Sequence, residues 1–494
     1  MSAALENPRA GEASAAWEPV IGLEVHAQLR TRTKIFCGCS AAYGAPPNRH
    51  VCPVCLGHPG VLPVLNRKVV ELAMRAALAM GCEVHAASRF ARKNYFYPDL
   101  PKGYQISQYD APLATGGGLD VGPLETARRV RLVRIHLEED AGKIIHDGAW
   151  SLVDFNRAGV PLIEIVSEPD IRTAEDASEY LKELRLLLRS LGVCDGNMEE
   201  GSLRCDANVS VRRRGEEKLG TRAELKNLNS FKYVKDAIEH EVQRQVALLE
   251  SGERVVQETR QYDPGTGRTA PMRSKEEAHD YRYFPDPDLP PLRVDAQWIE
   301  AVRVSLRETP RARRTRYVKT LGLSDYDAAV LVSEEGLGEF FEAVLKVHDD
   351  AKSAANFLMS EMLKELKEVG GDIDRCRTAP REVGALLEMV RKGEIARATA
   401  KDVFVKMFRE GVGAAEYVKA RGLGQVSDYD ALRTLSGSLV AQNADKAAEY
   451  HGGKEKLFGF FMGLVMKATG GKASPELAKK ALQDALDEKK PPTP

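Results

Sequence analysis

The sequence of 494 residues contains no apolar run approaching the roughly 18 residues that a membrane-spanning helix needs. Its first residues, up to Pro19, also lack the apolar core of a secretory signal peptide. Eight cysteines in a chain of this length do not make a disulfide scaffold. We therefore expect a cytoplasmic protein without membrane association.

An excess of charge of either sign is also missing, because 71 basic and 72 acidic side chains leave a net charge of -1. Such a balance gives no overall attraction to nucleic acid, so any RNA contact must come from a local patch. The best candidate lies near the end of the chain, where a turn at Gly470–Lys472 could meet phosphates. The pattern alone favours the alternative, an ordinary solvated surface, for these lysines: Lys454, Lys456, Lys467, Lys472, Lys479 and Lys480.

Several catalytic motifs are absent as well. There is no G-x4-GK[ST] motif, which excludes a P-loop enzyme. There is no Gly/Ser-rich segment of the amidase type, and residue 2 is Ser2, which excludes a processed N-terminal cysteine nucleophile. If the protein uses ATP, it binds ATP by another scheme, and any ammonia it needs has to be made by another chain.

The residue pattern divides the chain into four segments. Residues 1–17 are rich in Ala, Glu and Ser and are predicted to be flexible. Residues 18–292 are predicted to form a domain of strands with a few helices. The proline-dense stretch Asp286–Pro291 ends it, since proline interrupts regular structure. Residues 293–424 and 425–494 are then predicted to form a helical domain and a small helical tail domain.

Periodicity supports this α+β organisation. Val20–Leu29, Arg129–Leu137 and Leu203–Val211 alternate apolar and polar residues, which is typical of strands. Thr173, followed by Asp176 and an apolar-periodic run, is a helix-start signal of the capping-box type. Helices are predicted at Lys68–Met80, Thr173–Leu191, Ser230–Leu249, Phe340–Val347, Ala354–Val369, Arg381–Val390 and Ala396–Glu410.

Four of the cysteines cluster in the sequence as Cys37-Gly-Cys39 and Cys52-Pro-Val-Cys55. Two close pairs separated by a loop have the spacing of a tetrahedral zinc site. A site with four thiolate ligands has no open position, so we expect its role to be structural. Unrelated buried thiols are the alternative.

Acidic residues and a histidine recur on the strand-like segments. Glu24 and His26 are two residues apart, so their side chains leave one face of a strand. The same spacing recurs at His136 and Glu138, with Glu139 and Asp140 after them. Glu164 lies inside the apolar run Pro161–Val166, where it needs a cation or a partner. Such carboxylates suit Mg²⁺ bridging substrate phosphates, but solvated strand faces and a salt-bridged Glu164 fit the pattern too, because spacing alone does not show that the segments converge.

Short basic motifs add candidates for contacts to phosphate. Cations beside a metal–phosphate site neutralise the charge of a phosphoryl group in transfer. Ordinary ion pairs with nearby carboxylates are the alternative for each of them: Asn156 with Arg157, Arg204, Lys226 with Asn227, and Arg282.

The segment Leu152–Val166 (LVDFNRAGVPLIEIV) resembles the signature of the B subunits of tRNA-dependent amidotransferases, the GatB family. Further motifs of this family occur in the same order along nearly the whole chain. They are Ile21–His26, Pro59–Pro63, Arg92–Pro98, His136–Lys143, Glu199–Asp206, Glu224–Asn229 and Asp280–Pro285.

The resemblance implies a cradle domain similar to the glutamine-synthetase catalytic fold, then a helical domain and a YqeY-like tail. It implies Mg²⁺ ligands at Glu24, His26 and Glu164 with Glu138 or Glu139, and strand alternation favours Glu138. Residues Glu24, His26, Glu138, Glu164, Arg204 and Lys226 are expected to serve the chemistry. Asn156, Arg157 and Arg282 are expected to contact ATP. Structural Zn²⁺ is expected at the four cysteines.

The implied reaction is the ATP-dependent activation and amidation of Glu-tRNA(Gln), Asp-tRNA(Asn) or both. The implied partners are a glutaminase A subunit, which sends ammonia through a tunnel, and a small C subunit. Lys93, Tyr95, Lys102 and Tyr104 are candidates for the tunnel exit. Two other readings remain: a zinc-bearing RNA-binding protein without catalysis, and a ligase of the glutamine-synthetase type acting on free glutamate. The long helical half argues against the second.

Overall fold

The computed structural model describes residues 16–272, 281–370, 373–424, 428–470 and 473–488. Several expectations concern positions outside these ranges: the flexible start up to residue 15, Asp280, residues 425–427, and Gly471 with Lys472. The described chain forms two compact units, the first ending at Pro310 and the second beginning at Arg311.

The first unit is built on one large sheet with three small ones beside it. Its strands are β1 (Trp17–Gln28), β2 (Glu83–Val84), β3 (Ala87–Ser88), β4 (Ala91–Asn94), β5 (Tyr104–Ser107), β6 (Ala114–Thr115), β7 (Gly118–Val121), β8 (Arg128–Glu139), β9 (Lys143–Asp147), β10 (Trp150–Asp154), β11 (Pro161–Ser167), β12 (Leu203–Arg213), β13 (Ala223–Lys226), β14 (Thr259–Asp263), β15 (Arg268–Pro271), β16 (Phe284–Pro285) and β17 (Leu292–Arg293).

The large sheet has the order β15-β14-β13-β12-β1-β11-β8-β6-β2, and β7 also pairs with β8. The pairings are antiparallel except for β13 with β14. The smaller sheets are the hairpin β9–β10, the sheet β16-β4-β5 and the pair β17–β3. In the large sheet, β1 lies between β11 and β12, so strands far apart in sequence become neighbours.

The helices of the first unit are α1 (Arg67–Ala79), α2 (Ala174–Ser190), α3 (Phe231–Glu250) and α4 (Ala296–Val304). The Thr173 side chain accepts a hydrogen bond from the Asp176 backbone N–H, which confirms the predicted start of α2. Alternate residues of β1, such as Leu23 and Val25, share one apolar core with residues of these helices. The other residues of the central strands are therefore left on the opposite face of the sheet, here called the polar face.

The second unit is helical in its described residues. Its helices are α5 (Pro310–Leu321), α6 (Asp325–Ser333), α7 (Leu337–Leu345), α8 (Ala351–Phe357), α9 (Leu363–Glu368), α10 (Pro380–Arg391), α11 (Arg397–Glu410), α12 (Ala414–Arg421), α13 (Tyr429–Gln442), α14 (Ala444–His451), α15 (Leu457–Ala468) and α16 (Pro475–Asp487). A π-helical segment, Leu358–Met362, joins α8 to α9, so the helix predicted at Ala354–Val369 carries a local widening.

Helices α5 to α12 enclose one apolar core, and the last four helices enclose two smaller ones. A mixed sheet followed by helices confirms the predicted α+β class. Among the described residues, no helix combines the length and the apolar character needed to cross a bilayer.

Candidate functional site

Four adjacent strands, β12, β1, β11 and β8, place their polar residues on the polar face. Glu24 is the cross-strand partner of Asp206, and His26 is the partner of Arg204 on one side and of Glu164 on the other. Glu164 in turn faces His136. The strand order therefore brings together side chains from four distant parts of the sequence, as cross-strand neighbours on one face.

The centre of this arrangement is the His26 imidazole. Its Nε2 atom lies 3.3 Å from a carboxylate oxygen of Glu164, 3.5 Å from Glu138 and 3.8 Å from Glu24. We call Glu24, His26, Glu138, Glu164 and Asp206 the acidic cluster. Glu138 and Glu164 are buried, whereas Glu24 and Asp206 are partly exposed, so the cluster opens on the polar face.

The environment perturbs the protonation of these groups. Burial raises the pKa of Glu24, and the charge of Glu164 raises it further. Burial alone would raise the pKa of Glu164, but the adjoining His136 and His26 imidazoles hold it well below its ordinary value. Burial alone would lower the pKa of His26, but the hydrogen bond to Glu164 and the charges of Glu138 and Glu164 raise it. The cluster thus holds carboxylates that need a cation or a proton.

His136 lies on β8, next to the acidic cluster. Its Nε2 lies 3.4 Å from Glu164, and its Nδ1 accepts a hydrogen bond of 3.3 Å from Arg134 Nε. Burial alone would lower the pKa of His136, but the charges of Glu164 and Glu138 and its contacts with them raise it to about 9. His136 therefore orients Glu164.

The donor atoms fit a divalent cation. Two overlapping groups have their ligand atoms within 4.8 Å of one another: His26 with Glu138 and Glu164, and His26 with Glu24 and Asp206. Carboxylate oxygens are the ligands that Mg²⁺ prefers, and a cation there would compensate the buried negative charge.

The predicted basic residues have carboxylate or backbone partners. Arg204 makes two hydrogen bonds, of 2.9 and 3.0 Å, to the buried carboxylate of Asp140. Lys226 Nζ lies 2.7 Å from Asp206 and 3.0 Å from Glu224, so it borders the acidic cluster. Both cations are therefore held beside the cluster by acids.

The two adjacent glutamates of β8 point to different places. Glu138 belongs to the acidic cluster, whereas Glu139 pairs with Lys102 and accepts a hydrogen bond of 2.8 Å from the backbone of Ile106. Lys102, Tyr104 and Glu139 line a cavity of about 200 Å³ together with Cys37 and Cys55. The geometry thus favours Glu138 over Glu139 as a ligand in the cluster.

The three residues expected to contact ATP differ in their contacts and exposure. The Asn156 amide donates to the carbonyls of Ala45 and Pro46 and accepts from the backbone of His50, which ties down the loop between the cysteine pairs. The Arg157 guanidinium donates to the carbonyls of Ala141 and Gly142. Arg282 is exposed and has a backbone φ of 44°. These contacts do not bring the three side chains together.

Tyrosines stand close to the acidic cluster. Burial raises the pKa of Tyr95 and of Tyr283, and the Glu138 charge contributes to both shifts. Lys93 Nζ lies 4.8 Å from the ring centre of Tyr281 and 5.9 Å from that of Tyr95. Two of the residues predicted to line a tunnel exit, Lys93 and Tyr95, therefore lie together beside Tyr281. The other two, Lys102 and Tyr104, line the cavity beside Glu139.

The four clustered cysteines converge. The Sγ atoms of Cys37, Cys39, Cys52 and Cys55 lie within 4.8 Å of one another, and 3.9 Å separates those of Cys52 and Cys55. In a tetrahedral zinc–tetrathiolate, Zn–S distances of about 2.3 Å put the sulfurs about 3.8 Å apart. The Cys37 thiol, assisted by the Cys52 backbone N–H and by Lys34, lowers the pKa of Cys55 to about 4. These cysteines could hold a metal ion and are compatible with structural zinc.

Sequence reasoning left two side chains out of its site, Asp206 and His136. Asp206 is two residues beyond Arg204 on β12, so the alternation that placed Arg204 on the polar face also places Asp206 there. His136 has the same relation to Glu138. The periodicity was visible, but the pairing of Asp206 with Glu24 depends on the strand order.

Comparison with known families gives two matches along the chain. The GatB/GatE catalytic domain matches residues 19–300, and the GatB domain matches residues 339–486.

Curated relatives match over almost the same length. The B subunit of the aspartyl/glutamyl-tRNA(Asn/Gln) amidotransferase of Geobacter sulfurreducens is 54% identical over 475 residues, covering 95% of this chain and 99% of that protein. The protein of the same name from Thermodesulfovibrio yellowstonii is 53% identical over 473 residues, covering 96% and 100%. That from Persephonella marina is 52% identical over 471 residues, covering 95% and 99%.

Proposed function

Because the chain belongs to the family of aspartyl/glutamyl-tRNA(Asn/Gln) amidotransferase B subunits, we propose that it activates the side-chain carboxylate of Glu-tRNA(Gln) or Asp-tRNA(Asn) with ATP. The observation that carries this proposal is the acidic cluster, in which one imidazole lies within 3.8 Å of three carboxylates. A site of this kind suits phosphoryl transfer, where positioning and charge compensation do most of the work.

The chemistry explains why activation is needed. Ammonia cannot displace oxide from a carboxylate, because oxide is a very poor leaving group. A carboxylate oxygen instead attacks the γ-phosphorus of ATP, ADP leaves, and an acyl phosphate forms. Ammonia then attacks the carbonyl carbon, and phosphate leaves with the oxygen that came from the carboxylate. The products are the side-chain amide, ADP and phosphate.

We propose that Glu138, Glu164 and His26 hold Mg²⁺, with Glu24 and Asp206 as further ligands. The metal, when bound, supplies positive charge to phosphate oxygens as the phosphoryl group moves. The Glu164 carboxylate is kept ionised by its histidine neighbours and is ready to bind a cation. Lys226 and Arg204 flank the cluster and supply further positive charge. Asn156, Arg157 and Arg282 remain proposed contacts to ATP, although the first two make hydrogen bonds to backbone atoms.

We propose Zn²⁺ as the metal of the cysteine site, in a structural role. Four thiolates complete a tetrahedral shell and leave no position for substrate. The side chains of Asn48 and Asn156 bind the loop between the cysteine pairs to residues 153–156, which lead into β11. An ordered cysteine site would therefore help to fix the position of residues 153–156, which precede the strand that carries Glu164.

Ammonia and RNA require partners. We propose a glutaminase A subunit and a small C subunit, with ammonia passing near the cavity lined by Lys102, Tyr104 and Glu139. Lys454, Lys456, Lys467, Lys479 and Lys480 are exposed, as contact with tRNA phosphates requires. Charged tRNA and ATP occur together in the cytoplasm, so we place the activity there.

The decisive experiment is an amidation assay with charged tRNA, ATP, Mg²⁺, glutamine and the partner subunits. We expect the product to carry Gln or Asn, and ATP turnover to depend on charged tRNA. Tight tRNA binding without ATP turnover would favour a zinc-bearing RNA-binding protein instead. ATP turnover with free glutamate in place of charged tRNA would favour a ligase of the glutamine-synthetase type.

A further inference from the structure

A buried lysine lies beside the cysteine site. The Lys34 side chain is fully buried, and among the described residues it is the only buried lysine. Its ammonium donates hydrogen bonds to the carbonyl of His50 at 2.6 Å and to that of Phe155 at 3.1 Å. Its third neighbour is the Cys55 Sγ atom at 3.6 Å. These three acceptors match the three protons of an ammonium group.

The charge of Lys34 has to be compensated. Within the described part of the chain, no carboxylate oxygen lies in ion-pair distance of its Nζ, and two of its three acceptors are neutral carbonyls. An uncompensated buried ammonium is strongly destabilising. The third acceptor, the Cys55 sulfur at 3.6 Å, is a ligand atom of the proposed metal site, so a metal-bound sulfur is the group placed to balance the ammonium.

The proposed zinc complex carries excess negative charge, which a nearby cation would compensate. Four thiolates around Zn²⁺ leave a net charge of about −2, and Cys55 is the buried member of the set. A buried cation in hydrogen-bond contact with this sulfur lowers the electrostatic energy of the complex and occupies a lone pair that a proton would otherwise use. Partners of this kind outside the ligand set typically alter metal retention about 10- to 100-fold.

We infer that Lys34 is an integral part of the metal centre, a built-in cation that donates to the Cys55 thiolate and slows the loss of zinc. This inference rests on the proposed zinc site and adds a residue to it. A purely structural alternative is that Lys34 only joins the carbonyls of His50 and Phe155, and so only orders the loop. The two roles are separable, because other side chains order the same loop without touching sulfur.

Asn48 provides the matched control. Its side chain bonds to the backbone of Val153 and Phe155 rather than to a cysteine. Its φ is 58°, which glycine tolerates, so Asn48→Gly removes these loop contacts without backbone strain. Lys34→Met removes the charge and the N–H groups at similar length, and Lys34→Arg keeps a cationic donor.

The test measures the rate at which zinc passes from full-length protein to a chromophoric chelator. We expect Lys34→Met to release zinc about 10-fold faster than wild type or more, Lys34→Arg to release it more slowly than Lys34→Met, and Asn48→Gly to stay close to wild type. Equal acceleration in Lys34→Met and Asn48→Gly would reduce Lys34 to a loop contact and overturn the inference. Absence of zinc from the wild type would instead refute the proposed zinc site itself.

A second measurement uses the wild type alone and covers the case in which Lys34→Met does not fold. Acetic anhydride labelling with peptide mass analysis reports the accessibility of each lysine. We expect Lys34 to be unreactive in the zinc-loaded protein and to react after chelation, while exposed Lys68 reacts equally in both states. Unchanged protection of Lys34 after zinc removal would show that the metal does not hold it and would overturn the inference.

Discussion

His26 and Glu164 face each other directly across the pairing of β1 and β11, with 3.3 Å between the imidazole Nε2 and the carboxylate Oε2. The pair lies at the centre of a polar sheet face and keeps a buried carboxylate ionised. Glu138, Glu24 and Asp206 complete the surroundings of His26. The proposed chemistry depends on this arrangement, because these residues would hold the cation that supplies positive charge for phosphoryl transfer.

Replacing Glu164 by Gln should abolish the activation step. The amide keeps the shape of the side chain but removes the charge that binds the cation. We expect phosphoryl transfer to fall about 100-fold or more, as for the loss of a stabilising group in a preorganised site. Affinity for charged tRNA should persist, because the proposed contacts to tRNA phosphates are lysines of the last helices. Single-turnover kinetics and a filter-binding assay measure the two quantities. Exposed Glu83→Gln is the control, and normal amidation by Glu164→Gln would remove Glu164 from the site.

Affinity for the divalent cation should rise with pH. The pKa of His26 is raised above its ordinary value near 6.5, so its imidazolium stabilises the metal-free protein below that pH, and this contribution is lost as pH rises through the folded pKa. A bound cation competes with that proton, so binding is tighter where the ring is neutral. Calorimetric titration with Mn²⁺ should show proton release near neutral pH, and His26→Gln should lose the effect. An affinity independent of pH would contradict the role of His26.

Loss of one cysteine of the cluster should lower the thermal stability of the protein more than it lowers amidation per folded molecule. Metal analysis should find about one zinc per chain, as four thiolates bind one ion. Cys37→Ser should lose this zinc and lower the melting temperature by about 5 °C or more, with little change in amidation per folded molecule. Cys376→Ser, a change outside the cluster, is the control. Protein purified without chelator and lacking zinc would contradict the prediction.

The lysines of the last helices should contribute to tRNA capture. Changing Lys454, Lys456 and Lys467 to Gln should weaken binding and reduce its dependence on salt, because each lost phosphate contact lowers the slope by about 1. Fluorescence titrations at several salt concentrations measure both effects. The control changes three other exposed lysines of the same unit, Lys346, Lys352 and Lys392. Equal effects of the two triple variants would show that the terminal lysines contribute no more to tRNA binding than other exposed lysines.

The local features of this fold are readable from the sequence. Alternation predicts the strand that carries Glu24 and His26, and the signal at Thr173 marks the start of a helix that the structure confirms. The apolar surroundings of Glu164 indicate a buried carboxylate, and Glu164 is buried. Each of these signals depends on residues close together in the chain.

The convergence of the site is not readable in the same way. β1 pairs with β11 and β12, which are more than a hundred residues away, so Asp206 enters the cluster through a register that periodicity does not supply. Long-range pairing likewise turns Glu139 toward Lys102 and gives Arg204 to Asp140. The basic residues can be predicted from their local sequence, but the carboxylates with which they pair are brought close only by the assembled sheet.

Transfer of oxygen from substrate to phosphate is the most direct test of carboxylate phosphorylation by this protein. Glu-tRNA(Gln) or Asp-tRNA(Asn) carrying ¹⁸O in its side-chain carboxylate is incubated with the assembled complex, ATP, Mg²⁺ and glutamine, and the released phosphate is analysed by mass spectrometry. We predict one ¹⁸O atom in the phosphate for each amide formed, because the carboxylate oxygen that attacks the γ-phosphorus leaves with it. Amide formation accompanied by phosphate without ¹⁸O would contradict carboxylate phosphorylation.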